Sequence, residues 1–112
     1  MEIRPAVKAD VIEMCGPEMK VTVRAYAIED NGELLAVAGI AYGKRTVCFG
    51  DIKQSVKRSP RSILRLARKV TALVDKCKGP VFAFPDENEP TAERFLAHVG
   101  FEKLDGGVYV WR

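Results

Sequence analysis

Apolar residues recur along this chain with two periods, and the switches between them mark out its elements. Val21 to Glu29 alternates, with Val21, Val23, Ala25 and Ala27 set against Thr22, Arg24, Tyr26 and Ile28, which is the period of a strand. Asp30-Asn31-Gly32 follows as a tight-turn signal, because Asn and Gly accept the positive φ that a short hairpin needs. Glu33 to Tyr42 then returns as a nearly unbroken apolar strand, the pattern of a sheet centre covered on both faces. Gly43-Lys44-Arg45 turns the chain into a further strand, Thr46 to Ile52. The period changes after Ser59, the expected N-cap, and Pro60, the first helical position. Ile63, Leu66, Ala67, Val70, Leu73, Val74 and Cys77 keep helical spacing up to the Gly79-Pro80 stop.

The remainder is shorter. Met1 to Pro5 reads as a strand with Ile3 turned inward, and Asp10 opens a helical turn over Val11 to Cys15 that Gly16 and Pro17 end. Val81 to Phe84 is a buried strand. Asn88-Glu89-Pro90 starts a second helix with the stripe Ala92, Phe95, Leu96 and Val99, and Gly100 caps its end. Phe101 to Lys103 and Val108 to Trp111 form a last hairpin around Asp105-Gly106-Gly107. The predicted order is β, short α, β-hairpin, β, α, β, α, β-hairpin: an α/β (α+β) domain on a mixed sheet. Thr46–Ile52 and Val81–Phe84 are expected to be parallel neighbours across a right-handed crossover.

Length and composition agree with one domain over residues 1–112: 47% of residues are hydrophobic and 29% charged. No apolar run approaches the roughly 20 residues of a membrane span, and the opening MEIRPAVKAD has no apolar signal region. Cys15, Cys48 and Cys77 are far apart and odd in number, so reduced thiols and a cytoplasmic setting are expected. With His98 as the only histidine, no zinc site is expected. The net charge of +3 is mild, although Lys53, Lys57, Arg58, Arg61, Arg65, Arg68 and Lys69 crowd one stretch. Arg65, Arg68 and Lys69 fall opposite Ile63, Leu66 and Val70, as a solvated helix face does. No aromatic residues interleave with these charges, and nucleic acid is not an expected partner.

Element order and several residues resemble the GNAT superfamily of acyl-coenzyme-A-dependent N-acetyltransferases. The likeness is most specific in NEPTAERFLAHVGFEK, where Ala92, Phe95, Gly100 and Phe101 match the family's spacing and Asn88 lies one residue before its usual Asn. IRPAVKADV is similar to the family's first strand and helix. Two positions depart from the pattern. The family's Arg/Gln-x-x-Gly-x-Gly/Ala signature aligns with Arg58-Ser59-Pro60-Arg61-Ser62-Ile63, so its two small positions hold Arg61 and Ile63, and Pro60 removes a backbone donor. Leu96 stands where many members have a Tyr that protonates the leaving thiolate.

The resemblance implies acetyl-CoA as substrate, with no metal, and an amine acceptor that attacks the thioester directly. Its pantetheine would run along the strand edge from Phe49 to Ile52. Its diphosphate would meet Lys57, Arg58, Ser59, Arg61, Ser62 and Ile63 at the helix start, a natural anion site, and Asn88 would bond the pantetheine amides. The alternative for the loop is an ordinary capped helix with a solvated basic face. Asp51, late on its strand, is the candidate base, or else a strand-end carboxylate. Tyr109 or Tyr42 would supply the acid hydroxyl, unless each is a packed sheet tyrosine. The segment that shapes the acceptor pocket in the family, Met14 to Val21, is cut short, so the acceptor is unspecified, as is a homodimer. The rival function is a GNAT-fold protein without catalysis, serving as a structural or assembly component of the kind found among internal virion proteins of short-tailed coliphages.

Overall fold

The computed structural model describes residues 1–16, 21–53, 59–85 and 90–111. It is a mixed α+β fold. Seven strands, β1 (Glu2–Pro5), β2 (Thr22–Asp30), β3 (Glu33–Tyr42), β4 (Thr46–Ile52), β5 (Val81–Ala83), β6 (Glu102–Lys103) and β7 (Tyr109–Trp111), form one sheet in the order β1-β2-β3-β4-β5-β7-β6. Only β4 and β5 run parallel; the other neighbours are antiparallel. Three helices are described: α1 (Lys8–Cys15), α2 (Pro60–Asp75) and α3 (Pro90–Val99).

The β2–β3 hairpin turns at Asn31 (φ 51°) and Gly32 (φ 81°), two consecutive positive φ values that fit the right-handed strand twist. Further along the hairpin, Leu35 and Ala36 together oppose Ile28, a bulge that turns both toward α2. The carbonyl of Leu35 is used on the other side, accepting from the N–H of Lys53 (2.9 Å). β3 lies between β2 and β4 and is buried from Leu34 to Ala41. Alternation along it feeds two cores: Ala36, Ala38 and Ile40 face α2 and α3, while Val37 faces α1.

The larger core is built on α2. Its Leu66, Val70 and Val74 are fully buried against Ile28, Ile40 and Val81, and α3 adds Phe95, Leu96 and Val99. At the end of α3, Gly100 has φ 109°. Its N–H donates to the carbonyls of Leu96 and Ala97, and that of Phe101 donates to Leu96 at 3.0 Å, with both apolar side chains buried. This 6→1 and 5→2 closure is a Schellman end, and it delays β6 to Glu102 because Phe101 spends its N–H on the helix.

The structure revises several boundaries. α1 starts at Lys8, a turn before Val11, because Asp10 acts from the third helical position: its carboxylate accepts from the N–H of Val7 (2.8 Å). α2 stops at Asp75 rather than at Gly79, where the N–H groups of Lys76 and Cys77 drop to three-residue bonds onto Leu73 and Val74. Val21 is 43% exposed and lies outside β2, and Ile28, assigned to the polar side of that strand, is fully buried, since β2 is covered on both faces. β5 ends at Ala83, one residue before Phe84.

Candidate functional site

The parallel pair β4–β5 is short. Val47 aligns with Phe82 and Cys48 with Ala83. Beyond that point β4 continues through Phe49, Gly50, Asp51 and Ile52, held on one side by Gly39 to Ala36 of β3. Among the described residues these four have no β5 partner, so the edge of β4 opens at the carboxyl end of the parallel pair. α2 begins at the same end of the sheet, because the chain leaves β4 there and returns along α2 to β5. Carboxyl ends of parallel strands beside a helix N-terminus are where open α/β sheets bind ligands.

The helix start is a mixed cradle. Ser59 occupies the N-cap in an extended conformation (φ −113°, ψ 90°), but its side chain caps no backbone group. Its Oγ instead shares a 3.0 Å hydrogen bond with Oγ of Ser62, which also donates to Sδ of Met1 (3.2 Å). Ser62 is buried, so its hydroxyl is turned into the protein. The N–H of Ile63 closes the first helical bond onto Ser59 (3.2 Å), and the Ile63 side chain packs against the α2 core. The backbone N–H groups of Arg61 and Ser62 precede that first bond, and the Arg61 side chain is exposed. Lys57, Arg58 and Asn88 lie outside the described residues.

The candidate base and acid are not brought together. Asp51 pairs with Val37, so it shares the α1 face of the sheet with Phe49, and its carboxylate is exposed. The thiol of Cys15, at the end of α1, is pushed up by burial and then by the nearby charge of Asp51. Tyr109 pairs with Ala83 and is buried in the α2–α3 core, on the opposite face. Burial, followed by the charge of Glu93, pushes its hydroxyl up. Tyr42 is at the other end of the sheet from Asp51, opposite Thr46, and its hydroxyl is raised by burial and by Cys77. Ile52 packs toward α2, while Phe49 is half-buried toward α1. Cys48 is buried beneath the same sheet, and its thiol is pushed up to about 12 by that burial, then by Cys77.

Two features went unforeseen. Arg4 grips Asp10 through both guanidinium arms (2.7 and 3.1 Å) and reaches Glu29 at 3.3 Å. The paired carboxylates hold the guanidinium well above its ordinary range, and Arg4 holds the Asp10 carboxyl below the usual carboxylate range. The clasp fixes α1 to β1 and β2. The second is Phe84, 56% exposed at the end of β5. Phe84 was expected inside a buried strand Val81–Phe84; it is exposed because β5 ends one residue before it.

Among the described residues no group of three or more His, Cys, Asp or Glu side chains is arranged to hold a metal ion, and no helix is long and apolar enough to cross a membrane. Compared with family models, curated proteins and solved structures, the chain has no match in any of the three.

Proposed function

We propose that this chain is a minimal acyl-CoA-dependent N-acetyltransferase of the GNAT type. The observation that carries the reading is the β4 edge at Phe49–Ile52, whose backbone groups have no β5 partner among the described residues at the carboxyl end of the only parallel pair among the described strands. An extended chain with amide groups, such as pantetheine, pairs with an edge of that kind. The start of α2 adjoins it with the amides of Arg61 and Ser62, suited to a diphosphate.

In this reading the acyl thioester lies along Phe49–Ile52, polarised by edge amides. The neutral amine nitrogen attacks the carbonyl carbon, the C–S bond breaks, and the proton that the nitrogen then sheds passes through water to the departing CoA thiolate. Asp51, exposed on the α1 face, accepts the ammonium proton through water before attack. Most of the acceleration is positional.

Calorimetric titration with CoA and acetyl-CoA tests the reading. Binding is expected, weakening as salt is added because the helix start is exposed. No heat and no thermal shift at millimolar CoA would sink it.

One observation favours a second reading, a GNAT-fold structural component without turnover. Leu96 is buried, and the hydroxyls of Tyr42 and Tyr109 both lie away from Asp51. That reading expects no thiol release from acetyl-CoA over a broad panel of amines.

A further inference from the structure

No aromatic residue interleaves with the cations of α2 in the sequence, but the fold brings two to them from the sheet. The ammonium of Lys69 lies 5.5 Å from the centre of the Tyr26 ring, and the hydroxyl of Ser62 donates to Sδ of Met1, so this flank of α2 runs over β1 and β2. Helical spacing puts Arg65, one turn before Lys69, and Lys76, two turns after it, on the same flank. In β2, Tyr26 and Ile28 face α2 while Val23, Ala25 and Ala27 face α1, so alternation turns Arg24 to the α2 side beside Tyr26. Tyr42, opposite Thr22, is on that side too. Burial and then Cys77 push its hydroxyl up, and the charge of Arg24 opposes them, so Arg24 lies near both tyrosines. Arg24, Arg65, Lys69 and Lys76 are exposed, and the two tyrosines are half-buried. Among the described residues none of these four cations has a carboxylate within ion-pair distance. Glu29 is held by Arg4, Asp30 pairs with the amino group of Met1 (3.5 Å), and Asp75 falls away from this flank of α2.

We propose that this strip between α2 and β2 binds single-stranded nucleic acid, with phosphates on Arg24, Arg65, Lys69 and Lys76 and bases against Tyr26 and Tyr42. Such a site needs cations that track the backbone and rings on which unpaired bases stack, and the strip sets two rings among four cations. Along α2 the charges step by about 6 Å from Arg65 to Lys69 and by about 10 Å from Lys69 to Lys76, so the row spans several nucleotides of an extended strand. Lys69 marks the face of the Tyr26 ring that a ligand can reach; a base takes that place as the ammonium turns to a phosphate. A duplex keeps its base faces stacked inside and offers the tyrosines nothing. An acidic peptide would use the cations and leave the rings idle. β3 separates the strip from the β4 edge, and the proposal does not rest on acyl transfer.

The test is fluorescence anisotropy of the full chain with a labelled oligothymidylate of about eight nucleotides, beside a fully paired DNA hairpin and a glutamate peptide carrying the same label. The single strand is expected to bind at least tenfold more tightly than either. Its log K should fall against log salt with a slope of about −2 to −3, as three or four phosphate contacts on a single strand require. Lys69→Glu and Arg24→Gln, both at exposed positions, are each expected to weaken binding at least fivefold without moving the melting curve. Tyr26→Leu, which keeps apolar packing and removes the stacking ring, should weaken it about tenfold. Arg68→Glu makes the same charge change on the opposite flank of α2 and should cost less than twofold. No binding, equal losses from Lys69→Glu and Arg68→Glu, or equal binding of the hairpin would overturn the proposal, since each leaves only unspecific attraction to a basic surface. Tighter binding of the glutamate peptide would overturn it in favour of an acidic protein partner.

Discussion

The two faces of the sheet are built to different standards. Toward α2 and α3 the sheet is closed by a long amphipathic helix whose Leu66, Val70 and Val74 are fully buried. Toward α1 the cover among the described residues is an eight-residue helix that adds Val11 to the core, tied down by the Arg4–Asp10 ion pair, and Phe49 packs against it half-buried. The closed face supplies cohesion, and the thinner one carries the exposed carboxylate of Asp51. A chain this short has enough apolar surface for one good core, and the division shows where it was spent.

Truncation on each face is the coarsest way to break this comparison. Leu66→Ala is expected to cost about 3 kcal/mol, the transfer loss plus a cavity among rigid neighbours. Val11→Ala, on the thinner side, is expected to cost about 1 kcal/mol. Urea denaturation of the two variants measures the difference, and equal losses would show that α1 is as tightly packed as α2. The next effect separates two strand glycines. A methyl group at Gly39 would overlap the carbonyl oxygen of Arg24 and the backbone of Ala25, so Gly39→Ala is expected to cost about 2 kcal/mol. At Gly50 the same methyl meets Ala38 at 3.5 Å, an ordinary contact, and Gly50→Ala should stay within about 0.5 kcal/mol.

The element order could be read from the sequence because its signals are local. Asn31-Gly32, Ser59-Pro60 and Gly100 each mark a boundary through backbone geometry that only a few residues accept. The length of α2 was misjudged because Cys77 continues the apolar spacing past the last helical residue, and periodicity alone does not say when a helix gives way to a turn. Face assignments failed at Ile28, where β2 is covered on both sides and alternation no longer separates buried from exposed. For the candidate site, the Ser-Pro start of α2 and Asp51 were visible as residue types. The opposite orientations of Asp51 and Tyr109 were not, because they depend on the register of β4 against β3 and of β7 against β5. The Arg4–Asp10–Glu29 clasp joins residues brought together only by the β1–β2 pairing, so no spacing announced it.

The clasp gives a pH test of the thinner face. Asp10 is held below its ordinary range in the folded chain, first by Arg4 and then by the N–H of Val7, against the cost of burial. A depressed folded value means that the ionised carboxylate stabilises the fold. Its contribution is complete above the unfolded value of about 4 and is lost as pH falls through the lower folded value. Asp10→Ala is expected to cost about 2 kcal/mol at neutral pH, since it strips a charged hydrogen-bond partner from a part-buried arginine. As pH falls through that lower folded value, the variant and the wild type should converge. Melting curves from pH 2 to pH 7 decide this, and a constant gap would mean that Asp10 acts through packing instead of charge.

The smallest effect on stability is expected where the effect on function is largest. Asp51 is exposed at the open end of β4, so Asp51→Asn should change stability by no more than about 0.5 kcal/mol. If the thinner face is the reactive one, the same change should lower thiol release from acetyl-CoA by about 100-fold, the low end for loss of a general base. CoA affinity should be nearly unchanged, because the start of α2 is untouched. The rate profile should also move: the wild type accepts the ammonium proton at Asp51, whereas the variant must wait for amine already neutral in solution, so its rate should keep rising at higher pH. Titration calorimetry, thiol release across pH and melting curves on both proteins separate the possibilities. Equal turnover with equal stability would remove Asp51 from the mechanism. A variant that unfolds would assign the carboxylate to the fold, and with it the claim that the two faces divide cohesion from chemistry would fall.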